Sequence, residues 1–204
     1  MRNRGEMEIA MPWEKSFDVN EIVDRATSVF WAKGYEATSL ADLIKATGIN
    51  KGSLYNAFGS KKGLFSQSIL KYDQEHRRAT LVELIALKDP VLAINTLFDG
   101  IIAESLADKE CKGCLLVNTA LDLPNQDLDI AKTVKSGFLD FEGFFETQIQ
   151  LGQKVGAIPI NLDHQSAAKT LLGLVVALRV LSRGVYDEEG LQAIKSHAIN
   201  IISK

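Results

Sequence analysis

The segment Thr38–Phe58 limits what this chain can fold into more than any other stretch of its 204 residues. Leu40, Leu43 and Ile44 recur at helical spacing. Gly48 suits a left-handed turn, and Ile49, Leu54 and Phe58 supply apolar anchors beyond it. Two short helices joined by a glycine turn result, with Thr38 and Ser39 as N-cap candidates for the first and Asn50 for the second. This is the plan of a helix-turn-helix, whose second helix enters the DNA major groove N-terminus first. On that second helix Lys51, Gly52, Ser53, Tyr55 and Asn56 are expected to face outward, and Leu54, Ala57 and Phe58 inward. Lys51 and Lys61 suit phosphates as point charges, Tyr55 can reach a phosphate with its hydroxyl, and Asn56 can pair with an adenine edge. Gly52 allows close backbone approach. The plainer alternative makes Tyr55 a core aromatic and the lysines a solvated surface.

With its flanks the segment resembles the TetR family of one-component transcriptional regulators. The likeness begins near Phe17 and runs to about Tyr72. It rests on Ala26-Thr27-Ser28-Val29-Phe30, Gly34-Tyr35-Glu36-Ala37-Thr38-Ser39, Gly48-Ile49-Asn50-Lys51-Gly52-Ser53-Leu54-Tyr55 and Phe58-Gly59-Ser60-Lys61-Lys62-Gly63-Leu64-Phe65. Leu43-Ile44 departs from the family's more usual branched residue followed by alanine. The resemblance implies DNA contacts at Thr38, Ser39, Lys51, Ser53, Tyr55 and Lys61, and with Gly52, Asn56 and Lys62 these form the expected DNA-binding set.

The net charge of −3 argues at first sight against a nucleic-acid partner. Its distribution reverses the argument: residues 1–78 carry +2 and residues 79–204 carry −5, while Lys33–Lys62 alone carries +3. A basic face on an acidic body is compatible with salt-sensitive DNA binding. No apolar run approaches the roughly 20 residues of a membrane helix, and the start lacks the apolar stretch of a signal peptide. Two cysteines do not make a disulfide-stapled secreted domain, so the expected location is the cytoplasm. Residues 1–16 read as a flexible arm whose Arg2 and Arg4 either touch DNA backbone or have no role.

The remainder reads as all-α. Helices are expected over Val19–Lys33, Lys61–Ile85, Pro90–Ala107, Leu128–Lys154, Ala167–Leu181 and Glu188–Ile202, with Pro124 in a turn. The expected division is a helix-turn-helix domain at 17–62 and an effector-binding and dimerisation domain at 63–204. Ile130, Val134, Phe138, Phe141, Phe145 and Ile149 form one continuous apolar stripe. The family's C-terminal body usually encloses an effector pocket, for which Phe98, Ile102, Phe138, Phe141, Phe145 and Leu172 are candidates, with part of Leu115–Leu121. Such a phenylalanine stripe is equally compatible with plain core. With no charge cluster in view, an apolar or aromatic effector is expected. Leu174, Leu178, Leu181, Leu191, Ile194, Ala198 and Ile201 resemble the family's dimerisation pair, a four-helix bundle across a two-fold axis. The alternative is a monomer with a buried C-terminal helix.

Cys111-Lys112-Gly113-Cys114-Leu115-Leu116-Val117-Asn118 is the second distinctive segment. It resembles a branch of the family with a Gly-Cys-Leu pattern at its sixth helix, some members of which sense electrophiles or oxidants through the cysteine matching Cys114. A cysteine at a helix start beside Lys112 has the setting for thiolate chemistry, with Cys111 as resolving partner. Cys114 as a small buried hydrophobe remains open, as does a metal site, although His76, His164 and His197 are scattered. Asp122, Asp127 and Asp129 either hold a cation or form a solvated turn. No nucleophile–base–acid set, phosphate loop or dinucleotide fingerprint occurs, so no enzyme, cofactor or resident metal is expected. The sequence therefore points to a DNA-binding regulator, in this family most often a repressor. The rival is a helical small-molecule-binding or structural protein without specific DNA reading.

Overall fold

The computed structural model describes residues 18–122, 125 and 127–203, and every regular element among them is helical. The expected N-terminal arm and the Pro124 turn lie outside the described residues.

Helix α1 (Val19–Lys33) starts at Asp18, whose carboxylate accepts the Asn20 N–H, and stops at Gly34, where φ is +80°. Its apolar stripe buries Ile22, Val23, Ala26 and Phe30. Helix α2 (Leu40–Thr47) opens on a reciprocal capping box: Ser39 Oγ accepts the Asp42 N–H and Asp42 accepts the Ser39 N–H. Gly48, at φ +74°, ends it in the left-handed conformation that a β-carbon would disfavour. Asn50 then caps α3 (Lys51–Phe58) through the Ser53 N–H at 2.8 Å. Only one of the two N-cap candidates before α2 serves, because the Thr38 hydroxyl turns back to the Gly34 carbonyl at 2.6 Å.

Helix α4 (Lys61–Tyr72) runs on through a π-helical segment, Asp73–Arg78, into α5 (Ala79–Ala86). The expected single helix from Lys61 is thus continuous in path but wider for six residues at its middle. That turn places both Asp73 and Arg77 against Gly137, where a β-carbon would sit 3.4 Å from each of them.

Leu64, Phe65, Ile69 and Tyr72 of α4 complete the core begun by α1, Leu43, Ile49, Leu54 and Phe58. Phe65 meets Phe30 and Tyr35 with both ring-centroid separations at 4.8 Å. This N-terminal core therefore draws on residues on both sides of position 62. Gly63 permits the joint between α3 and α4, since a β-carbon there would collide with the Phe58 backbone carbonyl. Gly63→Ala is expected to cost about 3 kcal/mol in chemical denaturation, because backbone rather than a flexible side chain must give way. A change within about 0.5 kcal/mol would contradict this close approach.

The body comprises α6 (Pro90–Ala107), α7 (Leu115–Ala120), α8 (Leu128–Lys154), α9 (His164–Leu181) and α10 (Glu188–Ile202). Its core joins Ile94, Phe98 and Ile101 of α6, Phe145 and Ile149 of α8, Leu171, Val175 and Leu178 of α9, and Leu191, Ala198 and Ile202 of α10. By length and composition α6 alone among the described helices is long and apolar enough to cross a membrane, but Asp99 and Glu104 interrupt it and its inner side packs this core. At about 1.5 Å per residue, α8 is roughly 40 Å long. Its apolar stripe is accordingly divided: Ile130 and Val134 join the N-terminal core, and Phe145 and Ile149 the body core.

Candidate nucleic-acid interface and effector cavity

Helix α3 presents Lys51, Gly52, Tyr55 and Asn56 to solvent, with Ser53 half-buried, while Leu54 and Phe58 anchor its other side. Ala57 is exposed, contrary to expectation, because the short helix is held by only two inward side chains. Tyr55 is 41% exposed, which removes the core-aromatic alternative for it. The Lys51 ammonium lies 5.8 Å from the Tyr55 ring centroid. Asn56 is free of side-chain partners within the hydrogen bonds of the described residues.

Thr38 is corrected as a side-chain contact: it is only 1% exposed and its hydroxyl is spent on Gly34. The Ser39 hydroxyl also has work inside the protein, donating to Asp42 at 2.7 Å while accepting that residue's N–H. Hydrogen bonds from Lys33 and Ser39 hold the Asp42 carboxyl well below the usual carboxylate range. The local +3 is similarly divided. Lys33 pairs with Asp42 at 2.6 Å and Lys62 with Asp127 at 2.5 Å, so Lys62 ties the start of α4 to the cap of α8. The hydrogen bond to Asp127 raises the Lys62 pKa against an opposing burial effect. Lys45, Lys51 and Lys61 make no ion pair among the described residues; Lys61 lies over the Tyr35 ring at 4.3 Å.

A cavity of about 890 Å³ lies where α1, the α4–α5 helix, α6, α8 and α9 meet the loop before α7. Phe138, Phe141 and Leu172 line it, as do Leu116 and Val117. Phe98, Ile102 and Phe145 do not: they are buried in the body core, packed between α6 and α8. The expectation of a wall without charge is also corrected. Arg77, Glu83, Glu104, Lys112, Arg179 and Arg183 all contribute to it, although sequence separation had hidden their convergence. The missed wall residues of most consequence are Trp31, Tyr72, Arg77 and Arg179. One signal was legible in part, since Arg179 breaks the apolar second half of its helix.

Cys114 is the N-cap residue of α7, half-buried in the cavity wall, and Cys111 is exposed at φ +51°. Both are free thiols. The loop carrying them is pinned on several sides. Trp31 Nε1 donates to the Gly113 carbonyl at 3.0 Å, Arg183 Nε to the Cys111 carbonyl at 2.9 Å, and the Gly113 N–H to Asp108 at 3.1 Å. Gly113 is at φ +68°, and a β-carbon there would lie 2.8 Å from Arg183 Cδ. Lys112 is engaged by Glu110 at 3.1 Å and sits 5.2 Å from the Trp31 ring centroid. Burial, and then the neighbouring Cys114, push the Tyr72 phenol upward from its ordinary pKa. Burial lowers the Arg179 pKa, but the neighbouring Cys114 and the ion pair with Glu104 at 2.6 Å outweigh it and leave the guanidinium raised. Tyr72, Cys114 and Arg179 thus lie together in the wall.

Deeper in the same wall, Arg77 and Asp73 form a buried ion pair, Arg78 donates to Asp73 at 3.0 Å, and Arg77 reaches Asp140 at 2.9 Å. Burial pulls the Arg77 pKa down, and the Asp73 and Asp140 interactions more than restore it. No group of three or more His, Cys, Asp or Glu among the described residues is arranged to hold a metal ion. Of the expected dimerisation residues, Leu178, Leu191 and Ala198 are corrected to protomer core; Leu174, Leu181, Ile194 and Ile201 stay half-buried.

The comparisons with known proteins cover both halves of the chain. The profile of bacterial regulatory proteins of the tetR family matches residues 22–67, and that of the tetracyclin repressor-like C-terminal domain matches residues 91–198. The HTH-type transcriptional repressor ComR of Escherichia coli K12 is 29% identical over 188 residues, covering 92% of this chain and 90% of that protein. YezE of Bacillus subtilis 168, described as an HTH-type transcriptional regulator, is 35% identical over 181 residues, covering 87% and 92%. A solved structure of a cysteine mutant of CifR, complexed with 26-base-pair operator DNA, superposes with a TM-score of 0.80 at 27% identity, covering 92% of this chain and 98% of that one.

Proposed function

The chain belongs to the TetR family of DNA-binding transcriptional regulators, and we propose that it acts as a homodimeric repressor whose operator binding is released from the cavity. Its reading unit, residues 17–62, contacts DNA through Lys51, Gly52, Ser53, Tyr55 and Asn56, with Ser39, Lys61 and Lys62 near the backbone and Thr38 acting only as a brace. Two copies are needed because half-sites lie about one helical turn apart. The half-buried Leu174, Leu181, Ile194 and Ile201 on α9 and α10 are the side chains left to meet a second copy. The protein acts where chromosomal DNA lies, in the cytoplasm.

The observation that carries the release mechanism is the shared wall. Trp31 belongs to α1 of the reading unit, Cys114 and Arg179 belong to the body, and the Trp31–Gly113 hydrogen bond joins them beside the cavity. A molecule in the cavity, or a bulky group on Cys114, favours whichever arrangement of α1 against the body leaves room for it. That differential stabilises a spacing of the two α3 helices unfit for successive major grooves, and such couplings commonly change affinity about 5–150-fold.

A maleimide supplies the test. The Cys114 sulfur bonds to one alkene carbon, and a proton equivalent to that lost by the thiol is taken up at the other. Wild-type protein is expected to lose operator affinity on treatment by a factor in the range of about 5–150, and Cys114→Ser to lose none. Equal loss in both would remove Cys114 from the mechanism.

A further inference from the structure

The charged side chains of the cavity wall are sorted by depth. Arg179, in the last turn of α9, keeps 18% of its side chain exposed, whereas Glu104, its ion-pair partner at 2.6 Å, keeps 61%. Lys112 and Glu110 repeat the arrangement, a half-buried cation against an exposed carboxylate. Both pairs turn the positive member inward and leave the negative one in solvent, where its field is screened most. Arg77, the other inner cation of the wall, is already balanced by the buried Asp73. Of the remaining carboxylates, Asp108 accepts the Gly113 N–H and Glu83 is exposed on α5. Lys109 is exposed and makes no ion pair among the described residues. Arg183, in the turn after α9, has no carboxylate partner among them either: Nε donates to the Cys111 carbonyl and Nη1 to Asn118 Oδ1 at 3.0 Å.

Arg179 also has donors to spare. Nη2 donates to Glu104, while Nε and Nη1 have no acceptor among the described residues, and neither is sealed from solvent. A ligand anion reaching them makes charge-assisted hydrogen bonds, roughly twice as strong as neutral ones, whereas a ligand cation meets the inward face of Arg179 and Lys112. Trp31, Tyr72, Phe138 and Phe141 in the same wall suit an aromatic or apolar body. The geometry points to an organic anion with such a body, its carboxylate held in the cavity by Arg179, with Arg183 and Lys112 adding to the attraction. The inference rests on the reading of this cavity as the effector site and names the chemistry that the site selects. Glu104, on α6, is then the ligand's competitor for Arg179.

Three probes built on one diphenylmethyl frame test it by equilibrium binding: diphenylacetate, which is anionic, diphenylmethane, which is neutral, and diphenylmethylamine, which is cationic at neutral pH. Diphenylacetate is expected to bind wild-type protein at least about tenfold more tightly than either of the others. Arg179→Met is expected to abolish that preference. Glu104→Gln removes the competing carboxylate at an exposed side chain and is expected to raise the preference for diphenylacetate over diphenylmethane about two- to fivefold. It reads the site even should Arg179→Met not fold. Equal binding of diphenylacetate and diphenylmethane, tighter binding of the amine, or no binding of any probe overturns the assignment. So does a preference that survives Arg179→Met or fails to rise in Glu104→Gln. Diphenylacetate that binds preferentially through Arg179 yet leaves operator affinity unchanged upholds the assignment and overturns the effector role of the cavity.

Discussion

Replacing Lys51 and Tyr55 together with alanine is expected to lower operator affinity by about a hundredfold or more, with folding and oligomeric state unchanged. Both side chains are exposed on α3, and their recorded contact within the protein is the cation–π approach to each other at 5.8 Å. Such an exposed pair is worth only about 0.5–1 kcal/mol, and alanine is the better helix former at both positions. The fold therefore loses little. The DNA complex of a dimer loses the pair twice, including two cationic phosphate contacts. Fluorescence anisotropy on operator duplex, with circular dichroism and sedimentation as controls, reads the result. Affinity within threefold of wild type, on the order of the scatter in such comparisons, would remove α3 from the interface.

The second large effect concerns stability rather than recognition. Asp73→Ala is expected to cost about 3–5 kcal/mol, because it leaves the Arg77 guanidinium buried with Asp140 as its remaining partner. At about 2–4 °C per kcal/mol for a chain of this size, the melting temperature should fall by roughly 10 °C. Arg78→Ala removes a half-exposed donor to the same carboxylate and is expected to cost less than about 1 kcal/mol. A thermal or denaturant series over both variants checks the contrast. Equal, small losses would show that the Asp73–Arg77 pair is not the fixed point of the connecting helix.

The helix boundaries were legible wherever punctuation and period agreed. Val19–Lys33 lies between Asp18 and Gly34, and Leu128–Lys154 and Glu188–Ile202 start after capping aspartates. The π-helical turn was not legible, since a period of 3.6 and a slightly wider one bury nearly the same residues over six positions. The phenylalanine stripe of α8 gave the buried face of the helix but could not say which neighbour each ring meets. A helix long enough to cross both cores puts Phe138 and Phe141 in the cavity wall and Phe145 in the body core. The basic face was legible as a sum of charges, but not the pairing that occupies Lys33 and Lys62. Thr38 and Ser39 were equivalent as polar residues before a helix; only geometry shows one folded back on Gly34 and the other in the capping box. The wall formed by Trp31, Tyr72, Arg77 and Arg179 depends on contacts between distant segments, which spacing along one helix does not encode.

Specific reading of one duplex through a small basic face carried on an acidic body is the property on which the proposed function stands. The most direct measurement is the salt dependence of the protein's binding to duplexes tiled across the DNA flanking its own gene, beside scrambled duplexes of equal length. One tile is expected to bind at least about a thousandfold more tightly than its scrambled partner. Its log–log salt slope should correspond to several phosphate contacts at roughly −0.9 each. Equal affinity for every tile and its scrambled partner, or a slope near zero, would contradict specific reading.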